Sequence, residues 1–166
     1  MIATGSVTFV AMSANSRLTI ATHALTWMAG NEHQGAESST SEQIAKSVRT
    51  NPVVIRRLMA QLGKAGIVVS KRGAGSGWRL AKAPEEISLS DIDDALGSEN
   101  LFALHRNEPS PDCPIAQGIR PVLTQVYDRV DAAVRHELEH TTLADVLRDT
   151  VKTEGALKLL QKGEES

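Results

Sequence analysis

The stretch VRTNPVVIRRL, residues 48–58, lies in a segment of the chain that carries many positive charges and no negative ones. Between Glu42 and Glu85 there are nine Lys or Arg residues and not one Asp or Glu. The whole chain of 166 residues has 18 basic and 20 acidic residues, so the remainder holds nine cations and all 20 acids. The net charge of −2 therefore conceals a basic block on an acidic chain, which is the electrostatic footprint of a polyanion site.

The basic block opens with a pattern that predicts a short helix ending at Val48. Thr40 can cap this helix, and Gln43 follows three residues later, as in a capping box. The chain then turns at Arg49 and Thr50.

A second, longer helix is predicted after the turn. Asn51 or Thr50 can cap it, and Pro52 fits its first turn because that position needs no N–H. Apolar residues recur at helical spacing and should face inward: Ile55, Leu58 and Leu62. Gly66 should end the helix. A short helix, a tight turn and a longer helix with exposed arginines form a helix-turn-helix.

A basic hairpin is predicted next. The β-branched run 67–72 favours one strand, the glycine-rich residues 73–77 a turn, and residues 78–80 a return strand. A glycine loop can also cradle a nucleotide phosphate, but the Gly-Lys-Ser/Thr ending of such loops is missing here. A hairpin tip that follows a recognition helix fits a contact with the DNA minor groove better.

These segments, at this spacing, resemble the Rrf2 family of bacterial winged-helix regulators. The resemblance rests on TNPVVIRRL (50–58), KAGIV (64–68) and RGAGSGWRL (72–80), and it covers most of the chain from Arg17 to about Leu147. The family includes the iron–sulfur cluster regulator, the nitric-oxide-sensing repressor and the cysteine-metabolism repressor. The resemblance implies a transcription regulator without enzyme activity, most simply a repressor that binds a palindromic operator in double-stranded DNA as a homodimer.

The predicted fold is mostly α with a small β-hairpin wing. We expect an N-terminal extension (1–15), a winged helix-turn-helix domain (16–97), an irregular linker or sensor loop (98–114), and a dimerisation helix with a C-terminal helix (115–166). The first helix should run from Ser16 to Ala29 and close at Gly30.

Three groups of residues are expected to contact DNA. The residues best placed near base edges are Thr50, Asn51, Val53, Val54 and Arg57. Arg49 and Arg56 are better suited to phosphates. The wing should contribute Lys71, Arg72, Gly75 and Ser76.

A long helix is predicted from Pro114 to about His140. Its apolar stripe consists of Leu123, Val126, Val130, Val134 and Leu138. A helix with one apolar face must bury it against something. The resemblance implies a dimer interface, and packing on its own domain is the alternative. A final helix should begin at Thr141 or Thr142.

Cys113 is the only cysteine, which excludes an internal disulfide framework and suits a reducing cytoplasm. It should cap the long helix, where a modification could tilt that helix, so we treat it as a candidate redox sensor; an inert buried thiol is the equal alternative. An oxidant or a small molecule is the expected inducer. Iron–sulfur members of the resembled family place three cysteines in this region, whereas this chain has Cys113 alone. A cluster that uses His105 or an acid as co-ligand is the alternative, and we expect no cofactor.

The sequence His136-Glu137-Leu138-Glu139-His140 matches the His-Glu-x-x-His spacing of zinc metallohydrolases. A third ligand is missing at the expected places, so we expect neither a metal site nor a catalytic residue. No apolar run approaches the ~20 residues of a membrane span. Residues 1–11 lack the basic start of a signal peptide, and either Met1 or Met12 could be the natural start.

Overall fold

The computed structural model describes residues 14–73, 75–97 and 100–153. The six helices and two strands of this part of the chain are α1 (Ala14–His33), α2 (Ser41–Val48), α3 (Pro52–Lys64), β1 (Val68–Lys71), β2 (Gly77–Leu80), α4 (Leu89–Ala95), α5 (Pro114–His140) and α6 (Leu143–Val151). One turn of 3₁₀ helix, Pro84–Glu86, precedes α4. The predicted class, mostly α with a small hairpin, is confirmed. None of the described helices is long and apolar enough to cross a membrane.

Local hydrogen bonds set the ends of α2 and α3 as predicted. The Thr40 side chain accepts from the N–H of Gln43 (3.2 Å), while Gln43 Oε1 accepts from the N–H of Thr40 (2.8 Å). Arg49 ends α2 in the left-handed conformation, with φ of 57°. Asn51 then caps α3, its side chain accepting from the N–H of Val53 at 2.8 Å. The turn between the two helices is therefore only three residues long, which fixes their relative orientation.

A single hydrophobic core joins the first half of the chain to α6. Its largest fully buried side chains include Leu25, Met28, Ile44, Ile55, Met59, Leu62, Ile92 and Leu143. The predicted inward stripe of α3 is confirmed, since Ile55, Leu58 and Leu62 are all buried. Aliphatic side chains on several helices therefore provide the packing that the few aromatic residues cannot.

The hairpin is antiparallel, with Val68 opposite Leu80 and Lys71 opposite Gly77. The loop between α1 and α2 pairs with β2 through an antiparallel bridge, in which Ser39 and Trp78 exchange two backbone N–H···O bonds of 2.8 Å. A Cβ at Gly77 would lie 2.7 Å from the backbone oxygen of Ser39, so this close approach requires glycine. Gly73 and Gly75 have positive φ and form the turn itself.

The first helix is longer than predicted. It continues through Gly30 to His33, so the prediction that Gly30 closes it was wrong. A glycine in a helix interior costs only about 1 kcal/mol relative to alanine, and the packing of α1 against α6, with Leu147 close to Gly30, outweighs that cost.

The chain leaves this core after α4 and returns to it at α6. No residue of α5, which is described in full, is buried. At its end, the N–H of Leu143 donates to the oxygen of Ile87 (2.8 Å), and the N–H of Leu89 donates to that of Thr141 (2.9 Å). Arg135 also forms two hydrogen bonds with the carboxylate of Asp94, of 2.8 and 3.1 Å. The long helix is thus anchored to the core near its C-terminal end.

Candidate nucleic-acid interface

The outward face of α3 is polar and basic. Its exposed residues are Val53, Arg56, Arg57, Ala60 and Lys64, opposite the buried stripe. Val54 differs from its predicted neighbours because it is only partly exposed and packs against the core. The base-edge candidates that are exposed are therefore Asn51, Val53 and Arg57, whereas Thr50 is half-buried.

Arg49 and Arg56, the predicted phosphate contacts, differ in their surroundings. Arg56 Nη1 lies 3.0 Å from Glu42 Oε1, and both side chains are more than half exposed. Exposed ion pairs of this kind contribute little to stability, so Arg56 can exchange Glu42 for a phosphate at small cost. Arg49 and Arg57 form no ion pair with any other described residue. The left-handed turn directs Arg49 away from the core, at the junction of the two helices.

The wing is tied to the loop between α1 and α2. Glu37 Oε2 accepts a hydrogen bond from Lys71 Nζ, and Ser38 Oγ donates to the backbone oxygen of Gly75 at 2.5 Å. The hydrogen bond from Lys71, together with its positive charge, holds the pKa of the Glu37 carboxyl below its ordinary value. Arg72, Gly75 and Ser76 are exposed at the tip. We call the contacts of Glu37 and Ser38 with the wing the wing latch.

Two further contacts, which the sequence did not reveal, hold the helix-turn-helix in place. Arg17 Nη2 of α1 donates to Gln61 Oε1 of α3 at 2.9 Å. Trp78 Nε1 of the wing donates to Ser41 Oγ of α2 at 3.2 Å. Both join residues far apart in the chain, so no local pattern marks them. They fix α3 and the wing to the same body.

The apolar stripe of α5 is half-exposed. Leu123, Val126, Val130 and Leu138 are partly covered, and Val134 is exposed. Three exposed residues that the sequence analysis missed continue the stripe toward the N-terminus of the helix: Ile115, Ile119 and Val122. They recur three and four residues apart, which is the signal that could have identified them. Phe102 of the linker stacks on Tyr127 beside the stripe, with ring centroids 5.2 Å apart.

Cys113 is the N-cap residue of α5 and is partly exposed, with Pro114 at the first helical position, as predicted. His136 and His140 stack at a centroid distance of 4.2 Å, and His140 Nδ1 lies 2.6 Å from the backbone oxygen of His136. Among the described residues, no three His, Cys, Asp or Glu side chains lie close enough together to hold a metal ion. With a single cysteine in the chain, this donor set fits neither a three-cysteine cluster nor the zinc site of a hydrolase.

Comparison with known proteins gives consistent matches over most of the chain. The profile of the Rrf2 family, described as iron-dependent transcriptional regulator, matches residues 14–149. The HTH-type transcriptional regulator YwnA of Bacillus subtilis is 40% identical over 134 residues, which is 80% of this chain and 96% of YwnA.

Solved structures with the same fold include the following two, in each of which more than a quarter of the aligned residues are identical to those of this chain. The crystal structure of a DNA binding protein is 35% identical, covers 79% of this chain and 98% of its own, and has a TM-score of 0.62. The structure of IscR from T. potens is 26% identical, covers 84% and 89% of the two chains, and also has a TM-score of 0.62.

Proposed function

The chain belongs to the Rrf2 family of DNA-binding transcription regulators, and on this basis we propose that it is a repressor that binds a palindromic operator as a homodimer. Proteins of this family bind DNA and are not enzymes, which leaves the His-Glu-x-x-His match without a catalytic role. The observation that carries the proposal is the exposed face of α3, a helix without Asp or Glu, with Asn51 at its N-cap and Val53 and Arg57 in its N-terminal half. A helix of this kind enters the major groove.

The geometry supports a division of roles between base contacts and phosphate contacts within this surface. Arg57 lies on the outward face of α3 and suits a bidentate contact with a guanine edge. Arg49 lies at the turn before the helix and suits a phosphate. The wing carries Lys71 and Arg72 beside the exposed tip residues Gly75 and Ser76, and this arrangement suits the adjacent minor groove.

The test is selection of bound sequences from a random duplex pool, followed by affinity measurements at several salt concentrations. Arg57→Ala should weaken operator binding by about 1–3 kcal/mol and relax preference at one base pair. Arg49→Ala should weaken all sequences alike and lower the salt slope by about 1. Arg106→Ala, in the exposed linker, is the matched control and should change neither. Absence of salt-dependent binding to any duplex would contradict the proposal.

The stripe on α5 is proposed as the dimer interface. A palindromic operator is bound by a protein with two-fold symmetry. The half-exposed apolar face of the long helix α5 can pack against the same face of a second copy. The proposed contacts are Leu123, Val126, Val130, Val134 and Leu138, extended by Ile115, Ile119 and Val122. A DNA-bound regulator of this kind acts in the cytoplasm.

A redox response through Cys113 is part of the proposal, without an iron–sulfur cluster. The partly exposed Cys113 thiol at the junction of linker and α5 favours it, because peroxide can convert such a thiol to a sulfenic acid with release of water. Operator affinity should fall after peroxide, hypochlorite or quinone treatment of the wild type and stay unchanged in Cys113→Ser. Equal release of DNA by both proteins, or by neither, would contradict a sensor at this position.

A further inference from the structure

Two acidic residues, Glu37 and Glu42, hold cations that are assigned to DNA. Glu42 Oε1 lies 3.0 Å from Arg56 Nη1 on α3. Glu37 Oε2 accepts a hydrogen bond from Lys71 Nζ on the wing. Both acids come from one short stretch, residues 37–42, which therefore delivers one carboxylate to the wing and one to α3. Each of the two DNA-binding elements thus carries a cation that is already paired within the chain.

The backbone holds Glu37 at the tip of the wing. Ser39, two residues further on, exchanges two backbone hydrogen bonds of 2.8 Å with Trp78 of β2. A Cβ at Gly75 would lie 3.8 Å from Lys71 Nζ and 4.0 Å from Glu37 Oε2, which places the ion pair at the hairpin turn. The carboxylate therefore stands where a phosphate would meet the wing.

Glu42 is held in a similar way, in the first turn of α2. The capping box formed by Thr40 and Gln43 orders the residues on either side of it. The preceding residue, Ser41, accepts a hydrogen bond of 3.2 Å at Oγ from Trp78 Nε1 of the wing. The helix dipole also favours an acid in a first turn, so a role of Glu42 in stability alone is the alternative.

Both ion pairs are exposed and therefore weak. The side chains of Glu42 and Arg56 are 65% and 53% exposed, and that of Glu37 is 79% exposed. Water screens pairs of this kind, so a DNA phosphate that comes close enough can take the place of either carboxylate. A phosphate that stays farther away meets a neutral pair instead of a free cation.

This difference in approach separates an operator from DNA of arbitrary sequence. On an operator, base contacts fix the register of the protein, so phosphates reach Arg56 and Lys71 and displace the carboxylates through short, charge-assisted hydrogen bonds. Arbitrary DNA is held almost wholly by the positive charge of the surface, without a fixed register. Its phosphates do not meet both cations at bonding distance, so the ion pairs persist and the two carboxylates face the DNA.

We propose that Glu37 and Glu42 are specificity-determining residues, which lower the affinity of this surface for arbitrary DNA more than its affinity for the operator. The inference rests on the DNA-binding function proposed above. The base contacts still read the sequence, and the two acids lower the background of non-specific binding against which an operator must be found.

The test compares Glu37→Gln, Glu42→Gln and the double variant with the wild type, on the selected operator and on a random duplex, at several salt concentrations. On the random duplex each substitution frees one cation for one phosphate. Affinity should then rise roughly 5- to 10-fold at about 0.1 M salt, and the log–log salt slope should steepen by about 0.9.

The operator should respond less, because the wild type already makes both phosphate contacts there. Its affinity should rise roughly 2-fold per substitution, which reflects only the loss of a weak exposed ion pair, and its salt slope should stay the same. The ratio of operator affinity to random-duplex affinity should therefore fall roughly 3- to 5-fold in each single variant and about tenfold in the double variant.

Glu85→Gln is the control, because it removes the same charge at the other end of the acid-free segment. Glu85 is exposed and forms no ion pair with any described residue. Both affinities, and therefore their ratio, should stay close to those of the wild type. Thermal melting detects any loss of stability in Glu42→Gln, and Glu37→Gln, which lies outside every described helix, keeps the test valid in that case.

Equal gains on the two duplexes would overturn the inference, because the acids would then be simple competitors of phosphate. Weaker binding would also overturn it, since the acids would then orient the cations for DNA. If the wild type binds no duplex in a salt-dependent way, the proposed function fails. If the wild type binds DNA and the ratio is unchanged in all three variants, this inference alone fails.

Discussion

The body formed by α1–α4, the wing and α6 differs from α5 in how its apolar surface is used. In the body, side chains such as Leu25, Ile55 and Leu62 are completely buried. In α5, which is described in full, nothing is buried, and Ile115 and Val122 are 77% and 58% exposed. The body buries its apolar side chains within the chain, whereas α5 leaves its apolar side chains exposed to solvent. The body buries its core without a second chain, whereas the apolar face of α5 stays uncovered in the single chain and is the surface proposed to join two copies.

The largest effect should come from the body. Ile55→Ala removes a fully buried side chain from α3 and should lower the free energy of unfolding by about 2–5 kcal/mol, because a cavity remains. Urea denaturation measures the change. The control is Val53→Ala, two residues earlier on the exposed face, which should change stability by roughly 0.5 kcal/mol or less. Equal losses in the two variants would mean that the buried and exposed faces of α3 are wrongly assigned.

The next effect should separate assembly from folding. Val130→Glu puts a charge into the α5 stripe, and an unpaired charge in an apolar interface costs several kcal/mol. Sedimentation should show a monomer with weakened operator binding, and the circular dichroism of the body should be retained. Gln125→Glu adds the same charge on the polar side of the helix and should remain dimeric. If Val130→Glu also sediments as a dimer, the stripe is not the interface.

A pair of glycines sharpens the comparison further. Gly77→Ala places a Cβ 2.7 Å from the backbone oxygen of Ser39, so the wing must shift; we expect a loss of about 1–3 kcal/mol and weaker DNA binding. Gly118→Ala in α5 meets no described atom within 4 Å and should favour the helix by up to about 1 kcal/mol. Thermal melting of both variants gives the signs. Destabilisation by Gly118→Ala would show that α5 is more tightly covered than its exposure indicates.

The smallest effect concerns the wing latch. The hydrogen bond from Lys71 and its positive charge lower the pKa of Glu37. The contact between Glu37 and Lys71 therefore stabilises the fold at pH values above the ordinary glutamate pKa. This stabilisation is lost as the pH falls through the lowered pKa of the folded state. NMR titration of the Glu37 carboxyl should show the shift.

Glu37→Gln, which frees Lys71 for phosphate, should tighten DNA binding slightly at neutral pH, while Glu85→Gln should not. Weaker binding in Glu37→Gln would show that the latch positions the wing more than it competes with DNA.

Local features of the fold were predictable from the sequence because their partners are neighbours. The cap of α2 joins Thr40 to Gln43, three residues apart, and the cap of α3 joins Asn51 to Val53. Long-range packing left no such mark. The sequence around Gly30 does not indicate that Leu147 packs there. The sequence around Leu80 does not indicate that its N–H donates a hydrogen bond to Glu32 Oε1, at 2.8 Å.

The candidate site divides in the same way. The exposure of Arg57 and the position of Cys113 follow from helical periodicity and from Pro114, so both were predicted. Val54 was assigned to base edges, yet it sits at the boundary of the buried stripe, where periodicity alone does not decide. Lys71 pairs with Glu37, 34 residues earlier in the chain. Because Glu37 lies outside the acid-free segment between Glu42 and Glu85, the sequence did not indicate this pairing.

The return of the chain at Leu143 has a consequence for synthesis on the ribosome. The body cannot complete its core until Leu143 has emerged, and the whole of α5 is translated before that residue. At ordinary elongation rates this delay is roughly 2–10 s after Leu96. The apolar stripe is therefore outside the ribosome before the DNA-binding body has closed. Under the dimer proposed above, chains from neighbouring ribosomes on one message would be able to meet through α5 before either body has completed its core.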